Sequence, residues 1–229
     1  VGTRVRLLDA LVDRKRQQEA ERVRAEAELI RRDAQGEHPL VLRLAERNAA
    51  LSEALATAAV QLSALGEQTE QTDQLARRIE RQFKSARDTI AIGGLNQALG
   101  RMLQQQRRAL PDLVDYRRAV REREDRAAEI GVRRLRHWEE ENRLRDLDAY
   151  LAELTAQSDT DVAADDGAAL TDQLRALALD RRALLEKAIT ADDGYLRELG
   201  ELEAAQQRLL GAVTDYDAFL DEYLLWVRN

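Results

Sequence analysis

The sequence lacks cysteine and contains only two prolines, Pro39 and Pro111. The absence of cysteine excludes disulfide bonds, thiolate metal sites and a cysteine nucleophile. Aromatic residues make up only 4% of the chain, which argues against a thick globular core. No run of about 18 apolar residues is visible, so we expect no membrane-spanning helix within the chain. Because Val1 falls within a charged helical pattern, we expect the chain to be part of a longer protein.

Helix-forming residues dominate what remains. Charged residues account for 34% of the chain, and the rest is rich in Ala, Leu and Gln, which lose little side-chain freedom in a helix. Apolar residues recur in steps of three, four and seven, as in helices that pack along narrow seams. This pattern predicts an all-α fold, an elongated bundle of long antiparallel helices arranged as coiled-coil-like hairpins with a short connecting helix.

The predicted helices lie within a single elongated domain over residues 1–229. Their boundaries fall at about 1–33, 40–91, 95–109, 112–156 and 168–226. The turn between the first two helices is GEHPL, where Gly36 suits a left-handed helix C-cap and Pro39 suits the first turn of the next helix. In the last helix, the sequence from Asp192 to Gly194 is a candidate kink.

A second break lies in IGGLNQALGRMLQQQRRALPD, residues 92–112. Gly93 and Gly94 each cost about 1 kcal/mol relative to alanine inside a helix, so the pair predicts a helix end. A short amphipathic helix containing Gly100 follows, and Pro111 begins the next long segment. These four residues are the predicted hinge or corner. The apolar stripe of the following helix is predicted to include Ile130, Leu135, Trp138 and Leu144.

No residue pattern in the chain predicts catalysis or ligand binding. His38 and His137 lack metal-site spacing, and the acidic segment 158–167 lacks the ligand order of a calcium loop. The glycines of the corner match no phosphate-binding motif. Arginines are interleaved with acidic residues, which is typical of a solvated helix face and not of a nucleic-acid patch. We therefore predict no catalytic residue, metal, cofactor, nucleic-acid partner or small-molecule substrate.

The C-terminal sequence LDEYLLWV concentrates apolar and aromatic residues. Tyr and Trp are enriched at membrane interfaces, so Tyr223 and Trp226 are candidates for a membrane-proximal position. A second interpretation is that Leu224 and Trp226 close the apolar seam of the bundle. The sequence does not decide between the two.

Four segments resemble a known family. They are HPLVLRLAERNAALSEAL, FKSARDTIAIGGLNQALGRMLQQQRRALPD, LDAYLAEL and YDAFLDEYLLWV, in this order. Together they resemble the extracytoplasmic helical region of large mechanosensitive channels, in the potassium-efflux-type (MscK/KefA-like) branch of the MscS superfamily. The resemblance covers residues 37–229, whereas residues 1–35 match only as generic charged helix.

The resemblance implies a location on the periplasmic side of the bacterial inner membrane. It also implies a ring-shaped homo-oligomer in the intact channel, which opens when membrane tension rises under osmotic stress. The channel's own transmembrane region, absent from this chain, would be the partner. The C-terminal LLW motif would lie just before the first membrane-embedded part, close to the membrane.

Two other functions stay open at this point. A soluble coiled-coil scaffold or adaptor with no membrane link has the same helical pattern. Ion sensing by the acidic C-terminal half is a third hypothesis, for which calcium and potassium are the candidate ions. The parent reading frame distinguishes the first two, because a channel requires apolar spans after Asn229.

Overall fold

The computed structural model describes residues 2–93, 97–156 and 167–227, without the side chains of residues 2–9, 115, 117 and 225–227. Among the described residues the fold is all-α, as predicted. Its helices are α1 (Gly2–Asp33), α2 (Pro39–Gly93), α3 (Gln97–Arg108), α4 (Val114–Arg143), α5 (Leu147–Ala156) and α6 (Gly167–Val227).

The chain forms two compact units. Unit 1 comprises residues 1–63 and 128–196, and unit 2 comprises residues 64–127 and 197–229. Helices α2, α4 and α6 therefore contribute a segment to each unit. The sequence predicts one domain and offers no composition shift at these boundaries, because the boundaries fall within continuous helices.

Unit 1 is built around α2 and α6, which run parallel to each other. Leu55 packs with Leu184 and Ala188. Towards the start of both helices, the Asn48 side chain bonds to the carbonyl of Leu177. Helix α1 lies antiparallel to α2, because Gln17 bonds to Ser63 whereas Arg24 pairs with Glu53. The chain thus reverses direction at its turns, as the hairpin pattern predicts.

The same two helices form the centre of unit 2. Arg208 pairs with Asp73, and further along the Phe83 ring stacks on Tyr216 with centroids 5.4 Å apart. Helix α3 packs into the same core through Leu99 and Leu103, both buried. The predicted seam of the second helix is largely buried in the two units. Its members are Leu44, Leu51, Leu55, Leu62, Leu65, Leu75, Ile79, Phe83 and Ile90.

The turn between α1 and α2 has the predicted geometry. Gly36 has a φ of 99°, in the left-handed region that side chains disfavour. Pro39 is the first residue of α2, and the N–H of Leu40 donates to Nδ1 of His38, 3.2 Å away. His38 therefore caps the N-terminus of α2, a role that no spacing motif indicates.

The predicted helix over 112–156 is two helices in the structure. Helix α4 ends at Arg143, and α5 begins at Leu147. The carboxylate of Asp146 accepts the N–H of Ala149 at 3.0 Å, so it caps the new helix. Leu144, which lies in the turn, is completely buried. The break contains no glycine or proline. It is stabilised instead by the Asp146 cap and by the burial of Leu144.

One further expectation differs from the structure. Leu135 and Trp138 do not lie on the buried stripe of α4, because 51% and 47% of their surfaces are exposed. Helix α6 continues through the candidate kink, where Asp192 is buried.

Contrary to the expectation that no segment is apolar enough to cross a membrane, helix α2 is long and apolar enough by composition. It contains an 18-residue window with mean hydropathy 1.2, of which 33% is buried inside the protein. It is the one such helix in the part of the chain that the structure describes, and it qualifies by length and composition, which core helices of helical bundles share. The contacts of Leu55 with α6 are those of a bundle helix.

We predict that Gly36→Ala lowers the free energy of unfolding by about 1–2 kcal/mol, because alanine is strained at positive φ. Thermal denaturation followed by circular dichroism measures the change. Gly200→Ala is the matched control: Gly200 lies within α6, and a Cβ there meets no heavy atom within 4 Å. The control should gain up to about 1 kcal/mol. Equal shifts for the two variants would contradict the assignment of Gly36 as a conformationally required glycine.

Candidate functional site

The buried face of α6 carries polar residues among its apolar ones. A series of its buried positions follows steps of three and four residues along the helix, and Ala178, Leu185 and Ala205 beside this series are buried as well. The series consists of Leu170, Leu174, Leu177, Arg181, Leu184, Ala188, Asp192, Tyr195, Leu199, Leu202, Gln206, Leu209, Val213, Tyr216 and Leu220. Charged residues are almost never fully buried without partners, so the surroundings of Arg181 and Asp192 are the candidate functional positions on this face.

The first polar layer of unit 1 joins three helices. Asn48 on α2 donates to the carbonyl of Leu177 at 2.9 Å and accepts from Nη1 of Arg181 at 3.4 Å. The Arg181 guanidinium also donates to both carboxylate oxygens of Glu140 on α4, at 2.6 and 3.0 Å. Such a bidentate pair neutralises the Arg181 charge and also fixes the relative orientation of the Arg181 and Glu140 side chains. This layer aligns α2, α4 and α6 in one register.

The second polar layer of unit 1 is centred on Asp192, whose side chain is only 3% exposed. One carboxylate oxygen accepts from Arg133, with Nε at 3.0 Å, and the other accepts from Nδ1 of His137 at 3.1 Å. Both donors lie on α4, one helical turn apart. Burial by itself raises the pKa of the Asp192 carboxyl, but the bonds from His137 and Arg133 outweigh it and hold this pKa below its usual range.

Chemically, these layers are suited to specifying helix pairing. A buried ion pair contributes little net stability, because desolvation offsets the attraction, but removing one partner leaves a buried charge uncompensated. Any shift of α4 along α6 would separate Asp192 from Arg133 and Arg181 from Glu140 at the same time. Among the described residues, no cluster of three or more His, Asp or Glu side chains has the arrangement of a metal site.

The predicted corner lies in unit 2. Gly93 is the last residue of α2, Gly94 lies outside the described residues, and Gly100 is buried within α3. Pro111 lies between α3 and α4 and is half-buried; the N–H of Val114 then donates to Asp112 at 2.9 Å, which caps α4.

Helix α3 is held against α6 by polar contacts. Arg107 pairs with Asp217, with Nε at 3.0 Å, and also with Asp221 one turn later. The hydroxyl of Tyr216 donates to Oε1 of Gln106 at 2.7 Å. Together with the buried leucines of α3, these contacts attach the helix that follows the double glycine to the C-terminal part of α6.

Of the candidate membrane-proximal residues, Tyr223 packs against the core of unit 2. Its ring centroid lies 4.7 Å from that of Phe219, and Leu224 packs against the same cluster. The side chain of Trp226 lies outside the described residues, as does most of the acidic segment 158–167. The contacts of Leu224 agree with the interpretation in which the aromatic end closes the bundle seam.

Two clefts lie between the helices, one in each unit. One, of about 170 Å³, lies between α1, α2 and α6 in unit 1, and the other, of about 620 Å³, lies between α2 and α6 in unit 2. The first is below the usual size of ligand pockets. The second is lined by charged groups of both signs, including Lys84, Arg87, Asp88 and Asp215. The first cleft has apolar walls, among them Val23, Ile30 and Leu184, but its volume is too small for a typical small-molecule ligand.

Sequence reasoning missed Asn48, Arg181 and Asp192. They could have been found from their positions in the sequence. Each one falls where the repeat of apolar residues along its helix predicts a buried side chain. Asp192 instead suggested a kink, because an Asp-Asp-Gly sequence is typical of a helix interruption.

No protein-family model matches this chain, and no curated protein matches it significantly. The resemblance to mechanosensitive channels therefore stays a prediction.

We predict that Asp192→Asn lowers the free energy of unfolding by about 2–3 kcal/mol at neutral pH, because Arg133 and His137 lose their anionic partner. Chemical denaturation measures the loss. Asp193→Asn is the matched control, since Asp193 forms an exposed ion pair with Arg134. That variant should lose less than about 1 kcal/mol. Comparable losses in the two variants would contradict a special role for the buried carboxylate.

The stabilisation by Asp192 should depend on pH. A carboxyl whose pKa is lowered by folding stabilises the folded state above its unfolded pKa, near the ordinary value of 3.8, and this stabilisation is lost as the pH falls through the folded pKa. The difference in stability between wild type and Asp192→Asn should thus be full at neutral pH and should shrink below pH 3.8. A difference that grew on acidification would show that the pKa is raised instead.

Proposed function

We propose that this chain is a non-enzymatic helical domain from the periplasmic side of a bacterial mechanosensitive channel of the MscS superfamily. In this role it supports assembly or gating of a homo-oligomeric channel under osmotic stress. Its partner is the channel's own transmembrane region, reached through the C-terminal end of α6.

One observation carries the proposal: the four segments that resemble the family pack against each other in pairs. Leu40 and Leu44 of the first segment share a core cluster with Tyr150 and Leu151 of the third. These residues are separated by about a hundred positions in the sequence, yet they form one contact surface in unit 1.

The second and fourth segments form the other pair. Phe83, Leu99 and Leu103 share the core of unit 2 with Tyr216 and Leu220. The glycine-containing corner is thus built onto the part of α6 that leads to its C-terminus. A change in the path of the corner would be transmitted to that end of α6 through packed side chains.

The structural role also follows from the polar layers. The layers at Arg181 and Asp192 fix the register of long helices, which a domain that transmits force requires. A scaffold or adaptor with no membrane link needs the same rigidity, so this property supports both functions. The resemblance favours the channel.

The parent reading frame provides the first test. A channel subunit requires a signal peptide upstream of this chain and several apolar spans of about 20 residues after Asn229. A remainder without such spans would refute the channel and favour the scaffold.

We predict that Gly93→Ala/Gly94→Ala raises the tension threshold of the intact channel. Two alanines favour a continuous helix by about 2 kcal/mol in total, which opposes the break between α2 and α3. Patch-clamp recording in membranes that lack other mechanosensitive channels measures the threshold. Gly200→Ala in α6 is the control and should leave the threshold unchanged. If threshold and folding were both unaffected by the double substitution, the corner would have neither a mechanical nor a structural role.

A further inference from the structure

Four charged side chains are buried among the described residues, and three of them have a partner of opposite charge. The pairs are Glu141 with Arg145, Arg181 with Glu140, and Asp192 with Arg133. The fourth buried charge is Arg123 on α4, in unit 2, with 7% of its surface exposed. Because charged side chains are almost never buried without a charged partner, Arg123 is the exception among the four.

The contact of Arg123 with α6 is to a neutral side chain. Its Nη1 donates to Oε1 of Gln206, a residue that is only 2% exposed. Within the described part of the chain, this is the one bond that the Arg123 guanidinium makes. An amide oxygen satisfies one N–H group but does not balance the positive charge, so a buried cation is left uncompensated between α4 and α6.

The acidic residues nearest in sequence do not provide the missing charge. Glu122 and Glu124 adjoin Arg123 on α4, but both are exposed, as expected for positions on either side of a buried helix residue. Glu203 lies one turn before Gln206 on α6, and its carboxylate accepts from the side chain of Gln207 at 3.0 Å. The counter-charge therefore comes from none of these three carboxylates.

The groups that remain free at Arg123 and Gln206 are all hydrogen-bond donors. Since Oε1 of Gln206 accepts from Arg123, the other end of the amide is Nε2, which donates. Arg123 retains Nε and Nη2, the fork of parallel N–H groups with which arginine binds anions. None of these three nitrogens bonds to a described residue, and none is among the described polar atoms that are closed off from solvent.

We propose that Arg123 and Gln206 form a binding site for a small monovalent anion such as chloride. The anion accepts from Nε and Nη2 of Arg123 and from Nε2 of Gln206, and it neutralises the guanidinium. Water is also an acceptor, but it carries no charge to offset the cation. The small exposed fractions of the two side chains favour a single-atom ion over a phosphate or an organic carboxylate.

Such a site makes one helix contact of unit 2 dependent on a dissolved ion. The anion bonds to α4 and α6 together, so its binding stabilises the pairing of these helices in unit 2. The polar layers of unit 1 contain their own counter-charges, at Glu140 and Arg133, and need no such ion. This property goes beyond the proposed function and applies equally to a channel domain and to a scaffold.

Thermal denaturation of the full 229-residue chain tests the site, with chloride compared against the bulky anion gluconate at equal ionic strength. Equal ionic strength removes general charge screening as a cause. For a dissociation constant of about 10 mM, about 100 mM chloride should lower the unfolding equilibrium constant about tenfold and raise the melting temperature by about 3–5 °C. Equal melting temperatures in the two salts would overturn the proposal.

Removal of the cation should abolish the response to chloride. Arg123→Gln should melt at the same temperature in both salts, because no buried charge remains to be neutralised. Arg121→Gln is the matched control, since it removes the same charge from an exposed position of α4, and it should respond as the wild type does. A full chloride response in Arg123→Gln would place the anion elsewhere and overturn the assignment.

A built-in carboxylate should replace the ion. Gln206→Glu has nearly the same shape as the native side chain and sets a negative charge against Arg123. In gluconate it should melt above the wild type by the margin that chloride gives, and added chloride should then have no effect. Gln207→Glu adds the same charge to the exposed side of α6 and should keep the chloride response. A Gln206→Glu chain that melts below the wild type and still responds to chloride would overturn the proposal.

Chloride NMR provides a direct measure of binding that does not depend on stability. Exchange of chloride with a protein site broadens its resonance, and the wild type and Arg121→Gln should broaden it equally. Arg123→Gln and Gln206→Glu should both show less broadening at the same protein concentration. Circular dichroism verifies that each variant is folded. Broadening by Arg123→Gln equal to that by the wild type, with helicity intact, would overturn the site.

Discussion

The buried face of α6 is the constraint on which both units depend. Its apolar residues recur in steps of three and four from Leu170 to Leu220, and the other helices of each unit pack against it. Hydrophobic burial along such a face is favourable but not directional, so it permits several alignments of the neighbouring helices. The polar residues within the stripe restrict that freedom, because each finds its partners in only one register.

Asp192 and Arg181 illustrate how this restriction operates in unit 1. Each is almost fully enclosed and each is paired with residues of α4, at Arg133 and Glu140. A displacement of α4 by one turn would leave a buried carboxylate and a buried guanidinium without partners, at a cost of several kcal/mol. The long helices gain a defined alignment from side chains that add little to net stability.

The α4 face opposite to these polar layers has a different character. There the side chains of Val132, Leu135 and Trp138 are exposed, although their spacing alone made two of them candidates for the core. In this part of α4, Arg133 and His137 bond to α6 and Ile130 is buried, whereas these three large apolar side chains lie in solvent. Apolar spacing therefore predicted the burial of Ile130 correctly but misassigned Leu135 and Trp138.

The sequence by itself determined the all-α class, the turn at Gly36 and Pro39, and the buried seams of α2 and α6. These features follow from local propensity, backbone sterics and helical periodicity, which are properties of short segments. Only the tertiary structure decided the break at Asp146, the division into two units, and the burial of Asn48, Arg181 and Asp192. The buried polar residues depend on partners far away in the chain, such as the Arg133 guanidinium that neutralises Asp192. The break at Asp146 has a local cap at Ala149, but it also depends on Leu144, which packs with distant residues such as Leu40 and Leu174. The local sequence does not reveal such partners. A charged side chain is stable in water by itself, and it needs a specific partner only where packing removes the water around it.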